Sequence, residues 1–270
     1  MKNLKNKNIV ITGAASGIGQ AAAMAFAREG ANIILADVNS ASDVERDVKA
    51  LGADAISFTL DVSDPVLYQA FSEKAIAWKG GIDVLVNNAG FMAGGAIQDY
   101  SLEQWHNITN VNVHGPFHGV HFFLPHMLAR KTGHIVTTAS LFGLAHLPFV
   151  GPYCMTKAGV VAFSNSLRAE VAHQGVGVSV LVPGSVDTNL VNNGDWHASS
   201  GGTMIPDMFE KYGSSSAESV ATALVNGVKK NKRQILVGTD AQFLSRLIRF
   251  IPDSLNKSFC RFAEKTMSAS

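Results

Sequence analysis

Cysteine is scarce: Cys154 and Cys260 are the only two in 270 residues. Two cysteines make neither a disulfide framework nor a metal-ligand cluster, and a reducing compartment suits them best. Long apolar runs are missing as well. No stretch approaches the ~18 consecutive apolar residues that mark a membrane span, and the run behind the N-terminal lysines, Ile9-Val10-Ile11, is too short for a signal-peptide core. A cytoplasmic protein is therefore expected. Net charge is close to zero, at +1, which removes the argument for a nucleic acid or other polyanion as partner. The charge is unevenly spread, however: from Lys229 to the end nine basic residues face three acidic ones. Repeats, low-complexity tracts and composition shifts are also lacking, so nothing divides the chain into two comparable domains. With 47% hydrophobic residues it can bury a large core.

What is present begins with a β-branched run at Asn8–Ile11 that empties into Thr12-Gly13-Ala14-Ala15-Ser16-Gly17-Ile18-Gly19. Ile18, Ala21, Ala22, Ala25 and Phe26 then recur at helical spacing up to Gly30, a suitable C′ residue. Strand, glycine turn and helix aim backbone N–H groups at a phosphate. The next strand, Asn32–Ala36, ends at Asp37, eighteen residues past Gly19. A carboxylate at that point can accept both hydroxyls of an adenosine ribose and repels a 2′-phosphate. No lysine or arginine in the turn or directly after Asp37 offsets the repulsion, so NAD is predicted over NADP.

Further strands are predicted at Ala55–Leu60, Ile82–Val86, His134–Ala139, Val178–Val182 and Gln234–Val237. Asp64-Pro65 and Ser101-Leu102-Glu103-Gln104 are helix starts, the second a capping box. Strands alternating with helical segments imply βαβ units. The expected fold is α/β: a Rossmann-like doubly wound parallel sheet of about seven strands with helices on both faces, in a single domain. Ligands on such a sheet gather at the carboxyl ends of the strands. There lie Asp61-Val62, Asn87-Asn88-Ala89-Gly90, Ser140 and Pro183-Gly184-Ser185-Val186-Asp187-Thr188.

Tyr153 and Lys157 stand four residues apart, so a helix opening near Tyr153 puts both on one face. A free phenol is a poor acid near neutrality, and lowering its pKa from about 10 to about 7 takes roughly 4 kcal/mol of phenolate stabilisation, within reach of one cation in a desolvated site. Tyr-x-x-x-Lys alone is a weak signal. Asn112 sits in a helical stretch disturbed by Gly115-Pro116, where a freed carbonyl can hold water. His114, His118 and His121 have metal-like spacing but no carboxylate or thiol at a matching position, so no metal site is expected. Cys154 beside the tyrosine reads as a small apolar filler.

Taken in order, these residues resemble the short-chain dehydrogenase/reductase family from about Lys7 to Val237: TGAASGIG at 12–19, Asp37, Asp61, NNAG at 87–90, Asn112, Ser140, YCMTK at 153–157 and PGSVDT at 183–188. The resemblance implies roles. Gly13, Gly17 and Gly19, with Ser16 and Ile18 as backbone donors, correspond to the pyrophosphate turn. Asp37 corresponds to the adenosine-ribose acid, Asp61-Val62 to the adenine contact, and Asn88, Ala89 and Gly90 to the loop beside the cofactor ribose. Tyr153 matches the catalytic acid/base, Lys157 the residue that lowers its pKa and holds the nicotinamide ribose, Ser140 the hydroxyl on the substrate oxygen, and Asn112 the holder of a relay water. Pro183, Gly184, Val186 and Thr188 match the nicotinamide loop. A homodimer or homotetramer through helices at about 101–130 and 152–174 is implied as well.

The expected activity is hydride transfer between NAD(H) and a secondary alcohol or ketone of apolar character, of steroid, retinoid, acyl or aromatic type. The apolar bias rests on Phe91, Met92, Leu141, Phe142, Leu147 and Phe149, and on an irregular segment at about 188–216 that carries Trp196, Met204, Ile205, Met208, Phe209 and Tyr212 and reads as a lid. Two rivals are an epimerase or dehydratase that retains its nucleotide and a non-catalytic NAD-binding sensor or scaffold. Beyond the catalytic domain at 1–238, residues 239–270 read as an amphipathic helical extension. Phe243, Leu244, Leu247, Ile248 and Ile251 share a face beside Arg246 and Arg249. Such a tail packs on its own domain, a partner subunit or the substrate mouth more often than on a membrane through 241–251.

Overall fold

Seven short, mostly apolar runs form seven parallel strands: β1 (Asn8–Thr12), β2 (Asn32–Asp37), β3 (Ala55–Thr59), β4 (Val84–Asn87), β5 (Gly133–Thr138), β6 (Val176–Pro183) and β7 (Gln234–Val237). The computed structural model describes residues 1–187, 195–196, 215–242 and 261, with backbone alone at 187, 195 and 196. Strand order is β7-β6-β5-β4-β1-β2-β3. The chain reverses direction across the sheet between β1 and β4, and a cleft opens at the carboxyl ends there.

Alternation along the strands sorts the core into two layers. Ile9, Ile11, Ile33, Leu35, Val84 and Val86 pack with Ala22 and Phe26 of α1 (Gly17–Arg28), Val44 and Val48 of α2 (Ser42–Ala50) and Val220, Leu224 and Val228 of α7 (Ala217–Lys229). Val10, Ile34, Leu85 and Ile135 face the other way. They pack with Tyr68 and Phe71 of α3 (Pro65–Lys79), Phe123 and Met127 of α5 (Gly115–Ala129) and Leu167 and Val171 of α6 (Gly151–Val171). A strand buried on both faces has no polar side to show, which is why these runs read as continuous rather than alternating.

Local chemistry sets the boundaries. Asp64 caps α3 by accepting from the N–H groups of Val66 and Leu67 at 2.8 and 3.0 Å, with Pro65 at the first helical position and left-handed Gly80 at the end. The Ser101/Gln104 capping box opens α4 (Leu102–Thr109). The stretch expected as one helix at 101–130 is three pieces, because a π-helical turn, Asn110–His114, separates α4 from α5. Pro116 has no N–H to offer the carbonyl of Asn112 four residues earlier, so the α ladder breaks there. β4 begins at Val84 rather than Ile82, since Asp83 is diverted into a buried cluster. Its carboxylate takes Asn8 N at 3.0 Å and both Lys7 Nζ and Arg130 Nη2 at 3.2 Å.

Candidate active site

At the carboxyl ends of the strands an elongated cavity of about 440 Å³ runs from Asp37, Val38 and Asn39, with Asp61 and Val62, past Gly13, Ser16, Gly17 and Ile18, to Ser140, Tyr153, Lys157, Pro183, Gly184 and Val186. Asn88, Ala89 and Gly90 line its middle. Volume and shape suit an extended ligand of cofactor size.

The phosphate end is built from backbone. Gly13 and Gly17 hold φ of 63° and 55°, a region open to glycine and strained for other residues. Ser16, the N-cap of α1, makes no side-chain capping bond, so the first-turn N–H groups and the positive end of the helix dipole are left for a ligand. Gly19 does not line the cavity. It is buried, and a Cβ there would overlap the carbonyl oxygen of Gly13, so its lack of a side chain lets the helix pack closely on the turn.

At the other end of this turn Asp37 accepts Ala15 N on one oxygen and Asn39 N on the other, both at 2.9 Å. The carboxylate is thereby aimed, and each oxygen keeps a lone pair for a hydroxyl donor. Asp61 is a turn cap that accepts from Ser63 N and Ser63 Oγ, and it also forms the cavity wall. Among the described residues Lys157 is the one basic side chain that lines the cavity.

Tyr153 and Lys157 lie in the first turns of α6 and are both buried, one α-helical turn apart as the spacing predicted. Lys157 Nζ donates to the Thr138 carbonyl at 3.0 Å and stands 5.6 Å from the centre of the Tyr153 ring. Burial pulls the ammonium down to about 8 from an ordinary 10.5. Burial also pushes the phenol above its ordinary range, opposed by a hydrogen bond with the Ser140 hydroxyl. Of the influences on Tyr153, burial is the largest, and it opposes the depression expected from Lys157. The ammonium is held by Thr138 rather than by the phenol, and desolvation outweighs what remains. An ammonium carries three donors, and hydroxyl acceptors at the two beyond Thr138 would favour its charged form.

Ser140 follows β5 and uses its Oγ to accept Phe142 N at 3.2 Å, which fixes the hydroxyl at the strand end beside the phenol. Asn112 stands behind Gly90, its Oδ1 and Lys157 Nζ flanking the same glycine. Its side chain is buried outside the cavity lining, where it accepts Phe91 N at 3.0 Å and donates to Phe91 O at 2.9 Å and Thr156 Oγ1 at 3.2 Å. Any part in a proton relay therefore belongs to its main chain in the π turn. Asn88 is a strut as well as a wall, since its Nδ2 donates to the carbonyls of Thr12 and Gly13 at 3.2 and 3.1 Å. Thr188 lies outside the described residues, as do the lid beyond its backbone at 195–196 and 215–216 and the extension from 243 onward, Arg261 apart.

Several contributors escaped the sequence reading: Val38, Asn39, Leu60, Val111 and Ala139 line the cavity, and three threonines brace it. Thr138 holds Lys157 and lines the cavity, and it could have been found as the residue two before Ser140 on the same strand face. Thr12 Oγ1 accepts the N–H groups of Asn88 and Ala89 at 3.0 and 3.1 Å. Thr156 Oγ1 donates to Tyr153 O and receives Asn112. Of the six apolar residues offered for the substrate pocket, Phe91 and Met92 line the cavity. Leu141, Phe142 and Phe149 are buried and outside its lining, and Leu147 is half-buried against the cluster that holds Phe142. Among the described residues no helix is long and apolar enough to cross a membrane, and no group of three histidine, cysteine or acidic residues could hold a metal.

Comparison with known proteins agrees with this geometry. A probable oxidoreductase of Mycobacterium tuberculosis, EphD, is 37% identical over 93% of the chain, although the chain spans 44% of that longer relative. The putative oxidoreductase SadH of the same organism is 32% identical over 95% of both chains. Among solved structures, a short-chain dehydrogenase/reductase from Burkholderia phymatum in complex with NAD superposes with a TM-score of 0.85 at 30% identity, covering 96% of this chain and 97% of that one. The family model for short chain dehydrogenases matches residues 7–197, and with the seven-stranded sheet and the Ser140, Tyr153 and Lys157 cluster already in place, the chain belongs to the short-chain dehydrogenase/reductase family of oxidoreductases.

Proposed function

We propose that the chain transfers hydride between NAD(H) and a secondary alcohol or ketone of apolar character. The observation that carries this reading is the pairing of ends in one cavity: Ser140, Tyr153 and Lys157 at one, and a fixed Asp37 with no basic neighbour in the lining at the other. A glycine cradle between them, with free helix N–H groups, fits a pyrophosphate. The B. phymatum relative is in complex with NAD, in keeping with this assignment.

When bound, the dinucleotide supplies the hydride acceptor or donor at the nicotinamide. The chain supplies the proton chemistry and the positioning. The Tyr153 phenol oxygen takes the proton of an alcohol or gives one to a carbonyl oxygen, and the Ser140 hydroxyl hydrogen-bonds the same substrate oxygen. Lys157 holds ribose hydroxyls with the donors that Thr138 leaves, and a charged ammonium in this desolvated place favours the phenolate. Asp37 takes the adenosine ribose, and its charge disfavours a 2′-phosphate.

Phe91 and Met92 line the cavity and cluster with Tyr153, which gives the substrate end an apolar wall. The backbone of Asp195–Trp196 pairs with Ala93–Gly94, which brings the lid segment beside the loop that follows β4. A homodimer or homotetramer through α4–α5 and α6 is part of the proposal, as is a cytoplasmic location. The rings of Phe117 and Phe163, 4.3 Å apart on α5 and α6, supply a partly exposed apolar patch for the assembly, which sedimentation would measure.

The test is NADH formation at mildly alkaline pH over secondary alcohols graded from polar to apolar, wild type beside Tyr153→Phe, with NADP in parallel. Activity on apolar members with NAD, reduced about 10²–10⁴-fold in the variant, is the expected outcome. A best kcat/KM on a sugar or polyol would overturn the substrate class. Tight NAD binding without turnover of any member would favour a sensing role, and conversion of substrate without net NADH would favour an epimerase.

A further inference from the structure

Behind the Pro183–Val186 wall of the cavity sits a carboxylate that the family motifs do not include. Asp240 follows β7 by three residues, in the helical turn that opens at Thr239 after Gly238. Its Oδ2 accepts Ser185 N and its Oδ1 accepts Ala241 N, both at 2.8 Å. The group lies flat on the main chain between two glycines. A Cβ on Gly184 would overlap both carboxylate oxygens, and a Cβ on Gly238, where φ is 99°, would overlap Oδ1. Gly184 N in turn donates to Val237 O at 2.9 Å, so β7 and the turn behind it grip two successive amides of the cavity wall.

That wall borders Tyr153 and Lys157 through Pro183, Gly184 and Val186. A loop of this kind has few side chains to fix it, and its position comes from the bonds its backbone makes. Asp240 supplies one of them as a charge-assisted acceptor, the strongest available to an amide. The glycines at 184 and 238 are then explained together: each clears room for the same carboxylate.

We infer that Asp240 is a positioning residue for the nicotinamide half of the cofactor site, holding the Gly184–Ser185 main chain at the distance the bound ring requires. The inference rests on the dinucleotide reading above. It assigns a role to the first residues beyond β7, where the chain departs from shorter members of its family. Because Asp240 acts on one end of the cavity and lies far from Asp37 and the glycine turn in the fold, its effect is confined to ligands that reach that end.

The experiment compares NAD⁺ with ADP-ribose, which lacks the nicotinamide, by calorimetric titration of wild type, Asp240→Ala, Asp240→Glu and Asp240→Asn. Asp240→Ala removes the acceptor and Asp240→Glu displaces it by a methylene. Each should weaken NAD⁺ by about tenfold, with ADP-ribose affinity within about twofold of wild type. Asp240→Asn keeps an acceptor oxygen for Ser185 N–H and should hold NAD⁺ within about threefold. Equal weakening of both ligands would overturn the inference in favour of a general structural role, and unchanged NAD⁺ affinity in Asp240→Glu would overturn it outright. Should Asp240→Ala not fold, the glutamate variant decides alone. A wild type that binds neither ligand would sink the dinucleotide reading itself, an outcome distinct from all the others.

Discussion

Replacing Lys157 with methionine should stabilise the fold while it removes the chemistry. The lysine is buried, with Nζ donating to Thr138 O at 3.0 Å, and burial sets its pKa at about 8 against an ordinary 10.5. At pH 7 it is protonated in both folded and unfolded chains, so the whole shift counts against folding, about 3 kcal/mol. Methionine has a similar length and no charge to desolvate. The lost bond to Thr138 O offsets roughly 2 kcal/mol of the gain. A net gain of about 1 kcal/mol remains, which for a chain of this size raises Tm by about 2 °C.

The pH dependence makes the test sharp. Between about 8 and 10.5 the unfolded chain binds more protons at this site than the folded one, so wild-type stability rises with pH across that window. By pH 9.5 the burial penalty has fallen by about 2 kcal/mol, and the wild type overtakes the variant. Thermal melts of both proteins at pH 7 and 9.5 check this directly, with kcat falling by at least about 100-fold in the variant. A variant no more stable than wild type at pH 7, or a Tm difference that does not move with pH, would refute the reasoning.

Asp37→Ser removes the carboxylate that disfavours a 2′-phosphate, and the ratio of kcat/KM for NAD over NADP should fall by at least about tenfold. Gly19→Ala places a methyl group on the Gly13 carbonyl oxygen, so the first helix must shift off the turn. We expect a loss of about 2–3 kcal/mol, a Tm lower by about 5 °C and weakened dinucleotide binding, read by calorimetry and titration. His134, buried on β5 against the Ser179 hydroxyl at 2.8 Å, is pulled down to about 3 chiefly by desolvation, then by the charges of the N-terminus and Arg168. The unfolded chain therefore binds an extra proton between about pH 6.5 and 3, and stability is lost as pH falls through that window; in His134→Gln the slope of Tm against pH should flatten there.

The fold was legible because its strands are short apolar runs that end in small or polar residues, such as Gly13, Asp37, Asn88, Ser140 and Gly184, and each predicted strand lies within about two residues of the observed one. Capping chemistry at Asp64 and Ser101 was equally local and equally readable. The break at Asn110–His114 was foreseen as a disturbance, but its form was not, because whether a helix kinks or widens into a π turn depends on what packs around it. Here the Asn112 side chain is fastened to both main-chain groups of Phe91, a contact across 21 positions that no window of sequence contains. Which apolar residues face the cavity is likewise not legible from a sequence window. Phe142 and Phe149 look like pocket residues by proximity to Ser140 and Tyr153; both are buried outside the cavity lining, Phe142 in the cluster that also holds Met92 and Tyr153. Hydrophobicity gives burial, not the direction of burial.

The electrostatics of the site follow from a chain of contacts that joins the two halves of the cavity. The Gly13 carbonyl accepts Asn88 Nδ2, Asn88 Oδ1 accepts Thr138 Oγ1 at 3.3 Å, and the Thr138 carbonyl accepts Lys157 Nζ. The phosphate turn and the catalytic lysine thus share a framework made of one amide and one threonine. Each link is neutral, so the chain fixes position without compensating the charge of Lys157. A buried ammonium with one neutral acceptor is a destabilised group, and burial likewise disfavours the Tyr153 phenolate, opposed by a serine hydroxyl, while leaving the neutral phenol at rest. Both ionised forms are favoured by the same event, the arrival of hydroxyl acceptors at Nζ, which stabilises the charged lysine and through it the phenolate. The site is therefore poised against its own ionised state until a polyhydroxylated ligand fills the cavity. For that reason the phenol's apparent pKa, followed by ultraviolet difference titration, should fall on addition of NAD⁺ and return to its elevated value in Lys157→Met.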